Sequence, residues 1–187
     1  GNPDLGDPQL DLKYAQAEAL SVAKVLPNSR ALVRNEASES AFKRYGEGFK
    51  YLHIASHGTF NADSPLTSAL LLAKDSTNDG TLTVGELYSM RLNADLVTLS
   101  ACETGLGKIA NGDDVVGLTR GFLYAGSRSI VASLWKVDDE ATAYLMTRFY
   151  SALKGTSKRE ALRLAQIETR KKYPHPYYWA AFQLTGE

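Results

Sequence analysis

Three apolar runs constrain this chain more than any other feature: FKYLHIAS (49–56), ADLVTLSA (94–101) and SIVASLW (129–135). Each is short, rich in β-branched or aromatic residues and bounded by turn formers, which marks a strand rather than a helix. The intervening segments carry helical periodicity. Strands that are apolar on both faces and alternate with helices predict an α/β fold: a three-layer sandwich with a mostly parallel central sheet and helices on both faces.

The remaining segments fit that plan. A helical pattern runs from Leu12 to Val25, with Tyr14, Ala17, Leu20 and Ala23 on one stripe. RALVR (30–34) reads as a short strand, and Glu36 to Tyr45 as a short helix. SALLLA (68–73) is a further strand. Thr83-Val-Gly-Glu86 is a capping box that opens a helix to Met90. Asp113 or Asp114 caps a helix carrying Val115, Leu118, Phe122 and Ala125, which Gly126 stops. Asp138 caps a helix with Ala141, Leu145, Phe149 and Leu153 at spacings of four, and Ser157-Lys-Arg-Glu160 is a second capping box for a helix to Lys172. AFQLTG (181–186) supplies the last strand, expected over 181–185.

Lys and Arg number 21, Asp and Glu 21, so the formal charge is zero. A neutral chain gives no electrostatic case for nucleic acid or an anionic membrane as partner. No apolar run approaches the ~20 residues needed to span a bilayer, and GNPDLGDPQL is too polar for a signal peptide. The single cysteine, Cys102, cannot form an internal disulfide, and the expectation is a cytoplasmic, reducing setting.

In open α/β sheets, ligands bind beyond the C-terminal ends of the strands. Ser56-His57-Gly58, Cys102 and Trp135-Lys136-Val137-Asp138-Asp139 follow the three main runs, so a thiol, an imidazole and a carboxylate pair are expected on one rim. A free thiol with a pKa of about 8.5 is mostly protonated at neutral pH, and a nearby imidazole takes its proton or stabilises the thiolate. The N–H groups of Gly58 and Cys102 are candidates to hold an oxyanion. The other reading makes Cys102 a small core residue and His57 a hydrogen-bonded turn residue.

Other motifs fail. A phosphate loop at Gly105-Leu-Gly107-Lys108 would need a glycine at 102 and a hydroxyl at 109, where Cys102 and Ile109 stand. The Gly105-x-Gly107-x-x-Ala110 spacing has no acidic residue about 20 positions on. His53 and His57 lie on a strand without a completing thiol or carboxylate cluster, so no metal and no cofactor are expected.

LHIASHG, LSACETGLG, GDDVVGLTRGFLYAGSRSIVASLWKVDDEAT and HPYYWAAFQLTG together closely resemble the CHAT family, across nearly the whole chain. These are caspase-like domains, often attached to tetratricopeptide repeats in bacterial proteins and related to caspases and separases. The resemblance implies a cysteine endopeptidase with His57 as catalytic histidine, Cys102 as nucleophile, and Gly58 and Cys102 N–H groups as the oxyanion hole. Its partners would be a protein or peptide substrate and a regulatory repeat domain in the same chain. Leu134-Trp135-Lys136-Val137-Asp138-Asp139 is similar to the separase segment whose aspartate receives a P1 arginine, with Asp139 in the matching place. Asp138 and Asp114 are the further carboxylate candidates, each also a helix N-cap candidate, and Trp135 either walls a subsite or closes the core. Glu103-Thr104 departs from the caspase context after the cysteine. A catalytically silent signalling or scaffold module is the other function the resemblance allows, with 59–67 and 103–112 as switch-loop candidates. Family members carry an apolar strand running into the GNP turn at which this chain begins. The expectation is therefore one domain over 1–187, excised from the C-terminal part of a longer repeat-containing protein, with an open sheet edge.

Overall fold

The computed structural model describes residues 1–61, 63–100, 102–103, 113–135 and 137–186, with backbone alone at 102–103 and 113–116. In chain order the described elements are α1 (Ala15–Val25), α2 (Glu39–Tyr45), β1 (Tyr51–Ile54), β2 (His57–Thr59), β3 (Ala69–Leu71), β4 (Thr81–Thr83), α3 (Val84–Leu87), β5 (Leu96–Leu99), β6 (Cys102–Glu103), α4 (Asp113–Tyr124), β7 (Ser129–Ser133), α5 (Asp139–Leu153), α6 (Lys158–Lys172) and β8 (Phe182–Gly186).

The main sheet has the order β1-β5-β7-β8. β1, β5 and β7 are parallel, and β8 closes the far side antiparallel to β7. Alternate residues of the central strands enter different layers, as a period of two requires. On β5, Val97 and Leu99 join Phe122 of α4 and Ile130 of β7 in one cluster. Leu96 joins Val22 of α1 and Leu145, Met146 and Phe149 of α5 on the other side. Thr98 faces that second layer, where the Tyr150 hydroxyl donates to its Oγ1 at 2.8 Å. Two apolar layers on one sheet account for strands without polar alternation.

A second, smaller sheet has the order β4-β3-β2-β6. It is built from the same two runs: β1 steps through Ala55-Ser56 into β2, and β6 follows β5 in the chain. The parallel pairing of β1 with β5 is repeated between β2 and β6. The runs 49–56 and 94–101 are thus shorter strands than expected, each followed by a second strand. The antiparallel hairpin β3–β4 extends β2 outward.

Local signals read from the sequence are realised where they depend on near neighbours. Thr83 Oγ1 accepts from the Glu86 N–H at 3.1 Å and Glu86 returns the bond to the Thr83 N–H at 2.9 Å. The helix so opened ends at Leu87, short of Met90. Ser157 caps α6, but the Glu160 carboxylate turns to Arg163 at 2.7 Å instead of closing the second capping box. The candidate caps Asp113 and Asp114 have side chains outside the described residues, and α4 already begins at Asp113.

Two expectations are corrected. The buried stripe of α1 is Ala15, Glu18, Ala19 and Val22, while Leu20 is 40% exposed. The apolar stripe read along the helix is rotated because Glu18 points inward, where its carboxylate meets His53 Nε2 at 2.8 Å. RALVR is not a strand: only Arg34 forms a bridge, parallel to Pro3, and no described strand lies beside 30–33 to make a ladder. No helix among the described residues is long and apolar enough to cross a membrane.

Gly126 ends α4 at φ 107°, and a Cβ there would lie 2.2 Å from the Leu92 carbonyl oxygen. Gly126→Ala is expected to cost more than about 2 kcal/mol through left-handed backbone strain and this clash, measured as the shift in denaturant unfolding against wild type.

Candidate active site

The site forms at the step between the two sheets. Ser100 N–H still bonds the Ile54 carbonyl at 2.9 Å, so β1 and β5 leave the main sheet at the same level. The first residue pair beyond the step is His57 with Cys102, and the next is Gly58 with Glu103. Two residues far apart in sequence are therefore register neighbours on adjacent parallel strands. The Cys102 thiol itself lies outside the described side chains, as do residues 104–112, which include most of one switch-loop candidate.

His57 is not on a turn beyond a strand end, as read from sequence; it opens β2 and is 7% exposed. Its ring is held by a main-chain group. The Leu10 carbonyl accepts from Nε2 at 2.6 Å. A carbonyl can only accept, so Nε2 carries the hydrogen and Nδ1 of the neutral ring keeps a lone pair. Nδ1 is buried and has no hydrogen-bond partner among the described residues. A ring anchored at one nitrogen, with the other unprotonated, is the arrangement a general base needs.

Sequence reasoning missed Leu10, because a carbonyl carries no side-chain signal. Its placement has a local cause. Pro8–Leu10 is a 3-10 turn capped by Asp7, which accepts from the Gln9 N–H at 2.9 Å. The open end of such a turn leaves carbonyls without an internal partner. Asn2, buried and at φ 47°, pins the segment: its Oδ1 accepts from the Leu12 N–H at 3.0 Å.

Ser56 is buried and its hydroxyl donates to the Leu71 carbonyl, tying the step to β3. Gly58 is buried beside Leu70 and Glu103 in the small sheet. A Cβ there would meet Phe60 at 3.4 Å, an ordinary contact, so packing alone does not demand glycine.

The carboxylate candidates follow β7, the hydrogen-bonded neighbour of β5. Asp138 is the N-cap of α5, accepting from the Ala141 N–H at 2.9 Å. Asp139 is the first residue of that helix and is half-buried. Trp135 is 37% exposed, its ring N–H donating to the Tyr177 carbonyl at 3.2 Å, so it stands on the rim and not in the core. The Asp114 side chain lies outside the described residues. His53 and His57 reach different partners, Glu18 and Leu10.

Asp138→Ala is expected to lower stability by about 1 kcal/mol through loss of the cap, with Asp138→Asn keeping most of it. Chemical denaturation of the two variants checks this.

Comparison with known proteins follows the same lines. The chain is 36% identical to tetratricopeptide repeat protein 28 of Mus musculus over 110 residues, 56% of this chain and 4% of that protein. It is 31% identical to tetratricopeptide repeat protein 28 of Homo sapiens over 143 residues, 75% of this chain and 5% of that protein. The chain thus spans about a twentieth of the length of these relatives. The model of the CHAT domain matches residues 2–187. On this match over almost its whole length, the chain belongs to the CHAT domain family.

Proposed function

We propose that this domain is a cysteine endopeptidase of the caspase and separase type, acting on a protein or peptide partner. The observation that supports the reading most is the pairing of His57 with Cys102 across β2 and β6, with the imidazole anchored through Nε2 on the Leu10 carbonyl. Strands in a sheet run about 4.8 Å apart, so the two residues start from neighbouring backbones, and the proposed transfer needs sulfur and ring nitrogen to meet within about 3 Å.

The reaction then runs as follows. His57 Nδ1 takes the Cys102 thiol proton, and the imidazolium is steadied by the Leu10 carbonyl at Nε2. The thiolate adds to the scissile carbonyl, and the N–H groups of Gly58 and Cys102 hold the oxyanion. The imidazolium returns the proton to the leaving amine as the C–N bond breaks, leaving a thioester. Water, deprotonated by His57, hydrolyses the thioester and restores the thiol. Asp139 lies at the base of the P1 pocket and favours Lys or Arg there by a charge-assisted hydrogen bond, with Trp135 walling the subsite and Asp138 chiefly capping α5. Asp114 is a further carboxylate candidate for that pocket. The named relatives are tetratricopeptide repeat proteins, which supports a repeat domain in the same chain as the element that orders the substrate loops.

A second reading, a silent signalling or scaffold module, is favoured by one observation: His57 is only 7% exposed. A thiol-directed peptide probe separates the two. For the enzyme, Cys102 labels at least about tenfold faster than free cysteine, and His57→Ala removes the excess while Cys102→Ala abolishes cleavage with the fold intact. Labelling at the rate of free cysteine, with the repeat partner present, supports the module.

Cleavage of a P1-varied peptide library tests the pocket. The expected result is a Lys or Arg preference that Asp139→Ala reduces by about tenfold or more, the scale of one charge-assisted bond. A preference for Asp or a large apolar P1 removes the assignment of Asp139.

A further inference from the structure

The Leu10 carbonyl decides how the His57 ring is held, so whatever places residues 4–12 is part of the site. Apolar packing contributes little there. The 3-10 turn at Pro8–Leu10 buries none of its residues, and residues 6–9 and Asp11 are exposed. Several hydrogen bonds lie within the segment. Gly6 N–H donates to Asp4 Oδ1 at 3.0 Å, Gln9 N–H to Asp7 Oδ1 at 2.9 Å and Leu10 N–H to the Asp7 carbonyl at 3.0 Å. These bonds shape the turn without fixing it to the body of the domain. Asn2, just upstream, holds Leu12.

Among the described residues, one side chain besides His57 ties 4–12 to a distant part of the chain by hydrogen bond or ion pair: that of Arg34. Its Nη1 donates to the Asp11 carboxylate, and its Nη2 lies 3.7 Å from Asp4 Oδ1. The two carboxylates bracket the turn, and one planar guanidinium spans both, as the point charge of a lysine would not. Residues 4–12, DLGDPQLDL, carry three carboxylates and no basic side chain. Without a cation between them, Asp4 and Asp11 repel each other and favour an open loop. The backbone of Arg34 is a second, independent sign. It stands at φ 52°, a left-handed conformation that favours glycine and is uncommon for other residues. Its N–H donates to the Asn2 carbonyl at 3.2 Å and its carbonyl accepts from the Ala37 N–H at 3.0 Å, so the main chain that carries the side chain is fixed. Glycine would take this backbone without steric cost; what arginine adds is the guanidinium.

We propose that Arg34 is a positioning residue for His57: its guanidinium latches Asp4 and Asp11, and that latch sets the Leu10 carbonyl against Nε2. This role rests on the reading of His57 as a general base, and extends the orienting device from one carbonyl to the ion pairs behind it. The side chains of Arg34, Asp4 and Asp11 are 34%, 36% and 41% exposed. Ion pairs this exposed add little to global stability and weaken with salt. Their effect falls on where one carbonyl sits, so placement and stability can be separated by experiment.

Histidine labelled with 15N in the 187-residue chain gives the readout. Long-range 15N–1H NMR at about pH 8, where an ordinary imidazole is neutral, shows which ring nitrogen of His57 carries the hydrogen. His57→Gln identifies its signals. Two variants remove the latch in different ways. Arg34→Gly deletes the guanidinium and relieves the left-handed backbone. Asp4→Asn combined with Asp11→Asn deletes its partners and leaves Arg34 in place. In both, the ratio of Nε2–H to Nδ1–H forms of His57 falls about tenfold, the scale of one hydrogen bond. Labelling of Cys102 by the peptide probe slows about tenfold as well, a part of the ~10²–10⁴ that a general base contributes. The denaturation midpoint of Arg34→Gly stays close to wild type, and an arginine with a merely structural role would move neither readout. An unchanged Nε2–H form in both variants overturns the proposal. A change in Arg34→Gly alone assigns the effect to the main chain at 34 and overturns it too. Wild-type Cys102 that labels at the rate of free cysteine defeats the peptidase reading instead, and the tautomer ratio still decides the latch.

Discussion

The parallel pairing of the strands at 51–54 and 96–99 is the interaction on which the rest depends. It is made twice, once in the main sheet and again in the small sheet, between 57–58 and 102–103. Its register sets which residues become neighbours when the sheet divides. A shift of one residue would turn every side chain on the displaced strand to the opposite layer. Leu96 would then leave the α5 layer and Val97 the α4 layer, so the two apolar clusters hold the register that aligns His57 with Cys102.

The candidate site draws on the N-terminal segment as much as on the sheet. Asn2 and the 3-10 turn at Pro8–Leu10 bring one carbonyl to His57 Nε2, and a carbonyl leaves no choice about which nitrogen carries the hydrogen. The Asn2 N–H also donates to the Ala55 carbonyl, just past β1. The edge of β1 and the imidazole are therefore anchored by the same few residues.

The fold class was legible because it rests on short apolar runs that alternate with helical patterns. Helix starts were legible where one side chain caps one turn: Thr83 with Glu86, Ser157, Asp138. The carboxylate region after β7 was legible as following a main-sheet strand, while Trp135 stayed open between rim and core until the structure showed it 37% exposed. Less was legible where partners are distant. The inward turn of Glu18 toward His53 rotated α1 against its apolar stripe. RALVR carried strand residues but lacked a strand to pair with.

By itself, the sequence determined the layers, the caps and the presence of a histidine and a cysteine after two apolar runs, since these follow from residue type within a few positions. Only the tertiary structure decided that those runs step together into a second sheet, that His57 and Cys102 are register neighbours, and that the Leu10 carbonyl selects the imidazole tautomer. The reason is that strand register and main-chain hydrogen bonds between distant segments are set by what packs alongside, and a backbone carbonyl is the same group at every position in the chain.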